Sequence, residues 1–401
     1  MASKPYTVRW GILATGGIAQ TFTRDLLTNP AVRNVHDVQH IVAAAASSSS
    51  ASRASAFLKE VQAPSTAKAY GSYAELVKDP DVDVIYVATP HSHHFQNTML
   101  CLEAGKHVLC EKAFTVNAAQ AKKLVETAKA KNLFLMEAVW TRYFPLSIKI
   151  RELVTSGAIG KVHRVFSDLS FGEATEDGGL TFSDDHRMVN KDLAGGALLD
   201  LGIYSLTWVF QILYHCQPTP REAPRVLAAM NKYKTDADEM TSMILQWKEN
   251  QSMGIATTNM RVATQPDGMG SHTSGPAVRI QGTKGEIQVM GPIFRPTHFR
   301  VIKAGQRGEV EEVPCPIPRD TERQGEKGHE TEGWGHGMFW EADEVARCLR
   351  DGKLQSETLG WDESILIMET MDEVRKQGDL TYPELIETTV YDPKSPLNGK
   401  A

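Results

Sequence analysis

Between residues 7 and 138, short apolar runs alternate with stretches whose apolar residues recur at helical spacing. Thr7–Leu13, His40–Ala46, Val82–Thr89, His107–Cys110 and Leu133–Ala138 read as strands. Gly17–Thr28, Ser52–Val61, His93–Ala104 and Asn117–Lys129 read as helices. Strands that alternate with helices predict a parallel sheet covered on both faces. Two such sets back to back predict a doubly wound, dinucleotide-binding α/β fold. After Pro145 the pattern changes. Val162–Phe171, Arg225–Tyr233, Met240–Trp247, Ser252–Asn259, Val278–Gln281 and Glu286–Met290 predict an open, mainly antiparallel sheet. Lys284-Gly285 marks a tight turn between the last two. Helices are expected over about 335–350 and 362–376, and the Gly-, Pro- and charge-rich stretch 291–334 is expected to be loop, a candidate lid. The expected organisation is a dinucleotide-binding domain over 1–145 and an α+β domain over 146–401, which binds substrate and dimerises.

Composition narrows the function classes. Of 401 residues, 41% are hydrophobic and 23% charged, values of an ordinary globular chain rather than a disordered, collagen-like or coiled-coil one. Lys and Arg number 43 against 49 Asp and Glu, a net charge of −6, which disfavours a nucleic-acid partner. No two of Cys101, Cys110, Cys216, Cys315 and Cys348 form a C-x-x-C pair, so reduced thiols and a cytoplasmic location are expected. The N-terminus carries no apolar leader, and the longest apolar stretch, about 193–216, is interrupted by Asp200, so no membrane association is expected.

Four motifs carry candidate chemistry. The first runs from Gly11 to Ala19, follows the first strand and opens the first helix. It fits G-x-G-x-x-G/A as Ala14-x-Gly16-x-x-Ala19, with Thr15, Gly17 and Ile18 in the same turn. Gly16 would let the backbone approach a pyrophosphate at the helix N-terminus. The bland alternative is a tight turn of any α/β protein. The second motif ends the second strand. An NAD site would place an acid there, but none occurs between Ile41 and Leu58, and Asp37 precedes the strand. Ser47, Ser48, Ser49 and Arg53 are donors that suit a 2′-phosphate, so NADP is the expected cofactor. Ser50 or Ser52 could equally cap the following helix.

The third motif, Gly105 to Ala113, ends a strand at Glu111-Lys112. Lys112 then lies at the carboxyl end of a parallel strand, where ligands gather, and Lys106 lies at the other end. Its alternative is a surface ion pair of little worth. The fourth, Gly195-Gly196 to Tyr204, places Asp200 and Tyr204 at i, i+4 in an apolar helix, where a lone carboxylate is costly unless paired. A satisfied Asp and a core Tyr explain the same spacing. His91, His93 and His94 lack zinc-ligand spacing and are placed at a helix N-terminus beside the cofactor, so no metal is expected. Trp140, Arg142, Tyr143 and Phe144 form an aromatic–cationic cluster that either packs between domains or contacts ligand.

In this order the motifs resemble the glucose–fructose oxidoreductase and inositol dehydrogenase family. The marks are the Gly16 turn, Ala88-Thr89-Pro90-His91, Gly105 to Lys112, and Gly195-Gly196 to Tyr204. Ala113 stands where the family usually has Pro, and Tyr204 where most members have His. The tyrosine and the run Met136 to Pro145 resemble the branch of dimeric dihydrodiol dehydrogenases and fungal NADP-dependent D-xylose dehydrogenases. The resemblance implies a Rossmann domain and a C-terminal sheet that pairs face to face in a homodimer. It implies Lys112, Asp200 and Tyr204 as catalytic residues, with Trp140 and Phe171 lining a substrate pocket shared with Asp200 and Tyr204. Thr89, Pro90, His94, Glu111 and Arg142 join the cofactor contacts on the same ground. The implied chemistry is hydride transfer from a sugar to NADP⁺ with Tyr204 as base. Oxidation of dihydrodiols, reduction of dicarbonyls at the same site, or NADP sensing without catalysis are the alternatives.

Overall fold

The computed structural model describes residues 4–271, 273–324 and 335–399. The chain forms two compact units: residues 1–140, 317–364 and 387–401 in the first, 141–316 and 365–386 in the second.

The first unit is built on a six-stranded sheet of β1 (Tyr6–Leu13), β2 (Val38–Ala46), β3 (Lys68–Tyr70), β4 (Val84–Val87), β5 (His107–Glu111) and β6 (Leu135–Ala138). All pairings are parallel, in the order β3-β2-β1-β4-β5-β6. Every residue of β4 and β6 is buried, which explains why these strands read as unbroken apolar runs. The order reverses between β1 and β4, and in such sheets ligands bind beyond the carboxyl ends of the strands at that point. Phe22 stacks on Tyr86 with ring centroids 3.8 Å apart and meets Trp10 edge-on at 5.4 Å, fixing the first helix on the sheet.

The second unit carries an eight-stranded sheet. Its strands are β7 (Val162–Ser170), β8 (Arg225–Lys232), β9 (Asp238–Trp247), β10 (Ser252–Asn259), β11 (Pro276–Gly282), β12 (Gly285–Met290), β13 (His298–Lys303) and β14 (Val310–Pro314). The order is β14-β13-β12-β11-β7-β10-β9-β8, antiparallel except for the β7–β10 pair. The Ile203–Leu213 helix, buried at every position, lies against β7 and β10. Gly254 permits that approach: a Cβ there would sit 2.2 Å from Val209 Cγ1. Lys191–Leu213 is long and apolar enough to cross a membrane by length and composition, but it is buried as core. β9 and β10 alternate buried and more exposed positions, and β8 alternates half-buried and exposed ones, so one face of the sheet is covered and the other open.

Two expectations are corrected. The stretch 291–334 is not all loop: it contains β13, β14 and a short helix at Thr321–Gln324, while residues 325–334 lie outside the described residues. β13 and β14 were hidden by the charged residues among their apolar ones; β14 is the edge strand of the sheet, where charge is tolerated, and β13 alternates buried Phe299 and Val301 with more exposed positions. The single cut at 145/146 also fails to describe the later chain, because it returns to the first unit twice. The helix Phe339–Arg350 is tied there by Arg33, which donates to both oxygens of the buried Asp343 at 2.8 Å. Asp25 adds to the tie, accepting from the Gly335 and Met338 amides at 3.0 and 2.9 Å. The tight turn expected at Lys284-Gly285 has Thr283 and Lys284 at its centre, between paired Gly282 and Gly285.

Candidate active site

In the first unit a cleft of about 460 Å3 opens at the carboxyl end of the sheet, beside the β1–β4 reversal. Ala14, Thr15, Gly16, Ser47, Ser48, Arg53, Thr89 and Pro90 all line it. Gly16 is the N-cap of the Gly17–Leu26 helix and makes no side-chain cap, so the first amides are left for a ligand. A Cβ on Gly16 or Gly17 would meet nothing within 4 Å, so the space above the turn is open. Ala14 adopts φ 92°, the left-handed conformation that the fingerprint normally gives to glycine. Among the described lining residues none is acidic. Asp37 lies elsewhere, paired with Arg347 at 3.0 Å and Arg350 at 2.9 Å, and those cations hold its carboxyl down at about 2. An uncapped helix start, open space and the donors Ser48 and Arg53 fit a dinucleotide with a 2′-phosphate. Ser50 does cap the next helix, accepting from the Arg53 amide at 3.4 Å, which leaves Ser47 and Ser48 free of that role.

Other predicted cofactor contacts do not line this cleft. Gly17, Ile18 and Ser49 flank the lining without joining it. His94 is fully buried, with Nδ1 2.8 Å from the Ala113 carbonyl and Nε2 2.9 Å from that of Thr89. Two acceptors favour imidazolium, but burial weighs more and, with Lys112, holds the ring down to about 4. A neutral ring donates to only one of the two carbonyls, and His94 braces the cleft wall rather than facing ligand. Its neighbour His93 lines the cleft, also held down to about 4 by burial. Glu111 is buried and accepts from the Tyr86 hydroxyl and, at 3.1 Å, from the Lys112 amide. Lys112 is half-buried at the end of β5, joined to Ala113 by a cis peptide bond. Trp140 stacks on His336 with centroids 5.8 Å apart. Arg142 belongs to the second unit and is fully buried, so it offers a cofactor no surface.

In the second unit, Asp200 sits in a π-helical turn, Leu198–Gly202, that runs into the helix bearing Tyr204. Such turns are common at functional sites. Asp200 and Tyr204 each keep 7% exposure, while Leu199, Ile203 and Ser205 keep none, so this pair reaches the accessible surface. Arg187 Nη1 donates to Asp200 Oδ1 from 3.1 Å. The carboxylate is therefore paired, as its apolar setting requires. The glycines before it serve packing. A Cβ on Gly195 would stand 2.5 Å from the Arg187 carbonyl oxygen. One on Gly196 would stand 2.0 Å from Asp238 Oδ1. Asp238 accepts from the Leu198 amide at 2.7 Å, and burial raises its carboxyl to about 6. The Tyr204 ring lies 5.9 Å from that of Phe294. Phe171 lines a separate cleft of about 260 Å3 with Ser170, Thr264, Gln265 and Ile293, and neither Asp200 nor Tyr204 borders it.

Comparison with known proteins identifies the fold's lineage. Residues 8–139 match a family model described as an oxidoreductase family with an NAD-binding Rossmann fold, and residues 147–288 match the GFO/IDH/MocA C-terminal domain. The D-xylose 1-dehydrogenase (NADP(+)) of Hypocrea jecorina is 63% identical over 99% of both chains. The chain belongs to the GFO/IDH/MocA oxidoreductase family. The human trans-1,2-dihydrobenzene-1,2-diol dehydrogenase is 35% identical over 94% of this chain and 98% of its own. An NAD binding oxidoreductase from Klebsiella pneumoniae shares the fold of this family member, with a TM-score of 0.73 at 18% identity, covering 93% of this chain and 96% of that one.

Sequence reasoning about this oxidoreductase missed several residues. Tyr73, Pro396, Leu397 and Gly399 line the cofactor cleft, and Arg187 pairs with Asp200. Only Arg187 left a trace in the sequence, through Gly195, whose missing side chain makes room for its backbone. Among the described residues no group of three or more His, Cys, Asp or Glu could hold a metal ion.

Proposed function

We propose that this protein is an NADP-dependent D-xylose 1-dehydrogenase that oxidises the sugar hemiacetal at C1 to the aldonolactone. The observation that carries this reading is the 63% identity, over 99% of both chains, to the enzyme of that name. The acid-free cleft with Ser48 and Arg53 supports the cofactor. When bound, NADP⁺ supplies the hydride acceptor.

The chain's own groups handle the proton and the orientation of the sugar. Tyr204 is assigned as base for the C1 hydroxyl. A free phenol has a pKa of about 10, so its anion at neutral pH costs roughly 4 kcal/mol, a cost that an ammonium lowers. Lys112 is assigned that role. Asp200, paired with Arg187, is assigned to accept from a sugar hydroxyl, and Trp140 to stack on the apolar face of the pyranose; Phe171, in its separate cleft, is not given that role. The test is an assay of purified protein with D-xylose and NADP⁺, followed by absorbance of the reduced cofactor. Tyr204→Phe is expected to lose roughly 100-fold or more in kcat and keep its NADP affinity. Undiminished turnover in that variant rules out Tyr204 as the base.

A second reading, oxidation of trans-dihydrodiols, is favoured by the 35% identity to the human dihydrodiol dehydrogenase. Side-by-side turnover of D-xylose, D-glucose and a trans-dihydrodiol separates the two. The same reading includes a cytoplasmic homodimer. Five free cysteines support a reducing compartment. An exposed apolar row supports pairing through the open sheet face: Leu227 is 45% exposed, its cross-strand partner Ile244 40% and Met253 38%. Light scattering of the wild type and of Ile244→Glu checks the dimer, with a monomer expected only for the variant.

A further inference from the structure

Residues 396–399 border the cofactor cleft. Pro396, Leu397 and Gly399 line the same opening as Gly16, Ser48 and Arg53. Residues 387–399 are held on the nucleotide-binding unit by four amide side chains from two of its helices. Asn117 Nδ2 donates to the Glu387 carbonyl at 3.1 Å, and Gln120 Nε2 to that of Thr388 at 2.8 Å. Gln96 Nε2 donates to the Val390 carbonyl at 2.9 Å, and Gln96 Oε1 accepts from the Asp392 amide at 3.1 Å. Asn97 Nδ2 donates to the Leu397 carbonyl at 2.9 Å and to Asn398 Oδ1 at 3.0 Å. Gln96, Asn97 and Gln120 are buried, so their amides would be costly to leave unpaired.

The last contact is the tightest. Gly399 lies against Ser48 at φ 72°, and a Cβ there would stand 3.0 Å from Ser48 Cβ and 3.2 Å from its Cα. Both the left-handed backbone and the space demand glycine. Buried amides and a tailored glycine thus bring this strap to the serine predicted to meet the 2′-phosphate. The strap adds apolar lining, Pro396 and Leu397, to a cleft that also carries the polar donors Ser48 and Arg53. A cleft with both apolar and cationic lining suits a ligand that carries an aromatic group and an anionic one.

We infer that the strap Pro396–Gly399 is a wall of the adenosine 2′-phosphate subsite and contributes directly to cofactor affinity. The inference rests on the NADP reading above and extends it to residues outside the strand–helix turns. The probe is adenosine 2′,5′-bisphosphate, titrated calorimetrically into the full-length protein, into Gly399→Val, and into a chain stopped after Asp392. Tenfold or greater loss of bisphosphate affinity is expected in both variants, with nicotinamide mononucleotide affinity unchanged. In steady state the KM for NADP⁺ rises at least as much, and the KM for D-xylose stays put. Wild-type bisphosphate affinity in Gly399→Val, or in the shortened chain with its circular dichroism intact, overturns the inference and leaves the cofactor reading standing. A full-length wild type that does not bind the bisphosphate overturns the cofactor reading itself.

Discussion

Arg187 reaches Asp200 with a single 3.1 Å ion pair, its own side chain 55% exposed and that of the carboxylate 10%. The pair is thus lopsided: Asp200 needs a cation for its apolar turn, while the Arg187 side chain is half exposed. Arg187→Gln should reduce kcat/KM for D-xylose about tenfold, the scale of one charge-assisted hydrogen bond. Because Arg187 is half exposed, the loss of fold stability should be only about 1 kcal/mol. Cofactor affinity should not change. Titrations and steady-state rates check this, and an unaltered sugar KM would mean that Arg187 is merely structural.

Ser48 and Arg53 face a cleft lined by no acid among the described residues. Arg53→Ala should raise the KM for NADP⁺ about 10- to 100-fold and leave that for NAD⁺ nearly unaltered, since the guanidinium is matched to a phosphate and not to a hydroxyl. Adding Ser48→Asp should shift preference toward NAD⁺ by supplying an acceptor for the ribose. Paired assays with both cofactors measure the switch.

Glu341 is fully buried, and neither carboxylate oxygen has a hydrogen-bond partner among the described residues. Burial, then Glu111 and Asp25, push its carboxyl well above the usual range. The native state therefore holds a proton that the unfolded chain releases above pH ~4.3. The stability contributed by that proton is complete below this pH and is lost as pH rises toward the native pKa. Glu341→Gln should match the wild type in stability at acid pH and exceed it increasingly as pH rises. Urea unfolding across a pH series checks the slope, and parallel curves would refute the buried acid.

Ala14 holds φ 92° where glycine would be relaxed. Ala14→Gly should raise unfolding free energy by about 1 kcal/mol, with relief of strain exceeding the extra entropy of the unfolded glycine. Thermal unfolding measures it. NADP affinity should hold, because the backbone path of the turn is unchanged.

Much of the first unit is legible along the chain because its signals are local. Buried parallel strands such as Val84–Val87 are apolar at every position, and the turn at Gly16 is written in consecutive residues. Ser47, Ser48 and Arg53 were readable for the same reason, since they follow directly on β2. β13 and β14 were not, because charged residues interrupt them: β14 lies at the sheet edge, and β13 buries only alternate residues. His94 and Glu111 were expected at the cofactor from the family resemblance, yet both are buried, and burial is not a property of spacing.

Local pattern therefore set the doubly wound order, the phosphate turn and the spacing of Asp200 and Tyr204. Tertiary packing alone settled that Arg187 is the partner of Asp200, that Gly195 and Gly196 make room for a returning backbone and for Asp238, and that residues 396–399 line a cleft begun at residue 14. The reason is range. Periodicity and turn chemistry act within a few residues, whereas a buried charge or an open cleft wall selects its partner by distance in space, wherever along the chain that partner lies.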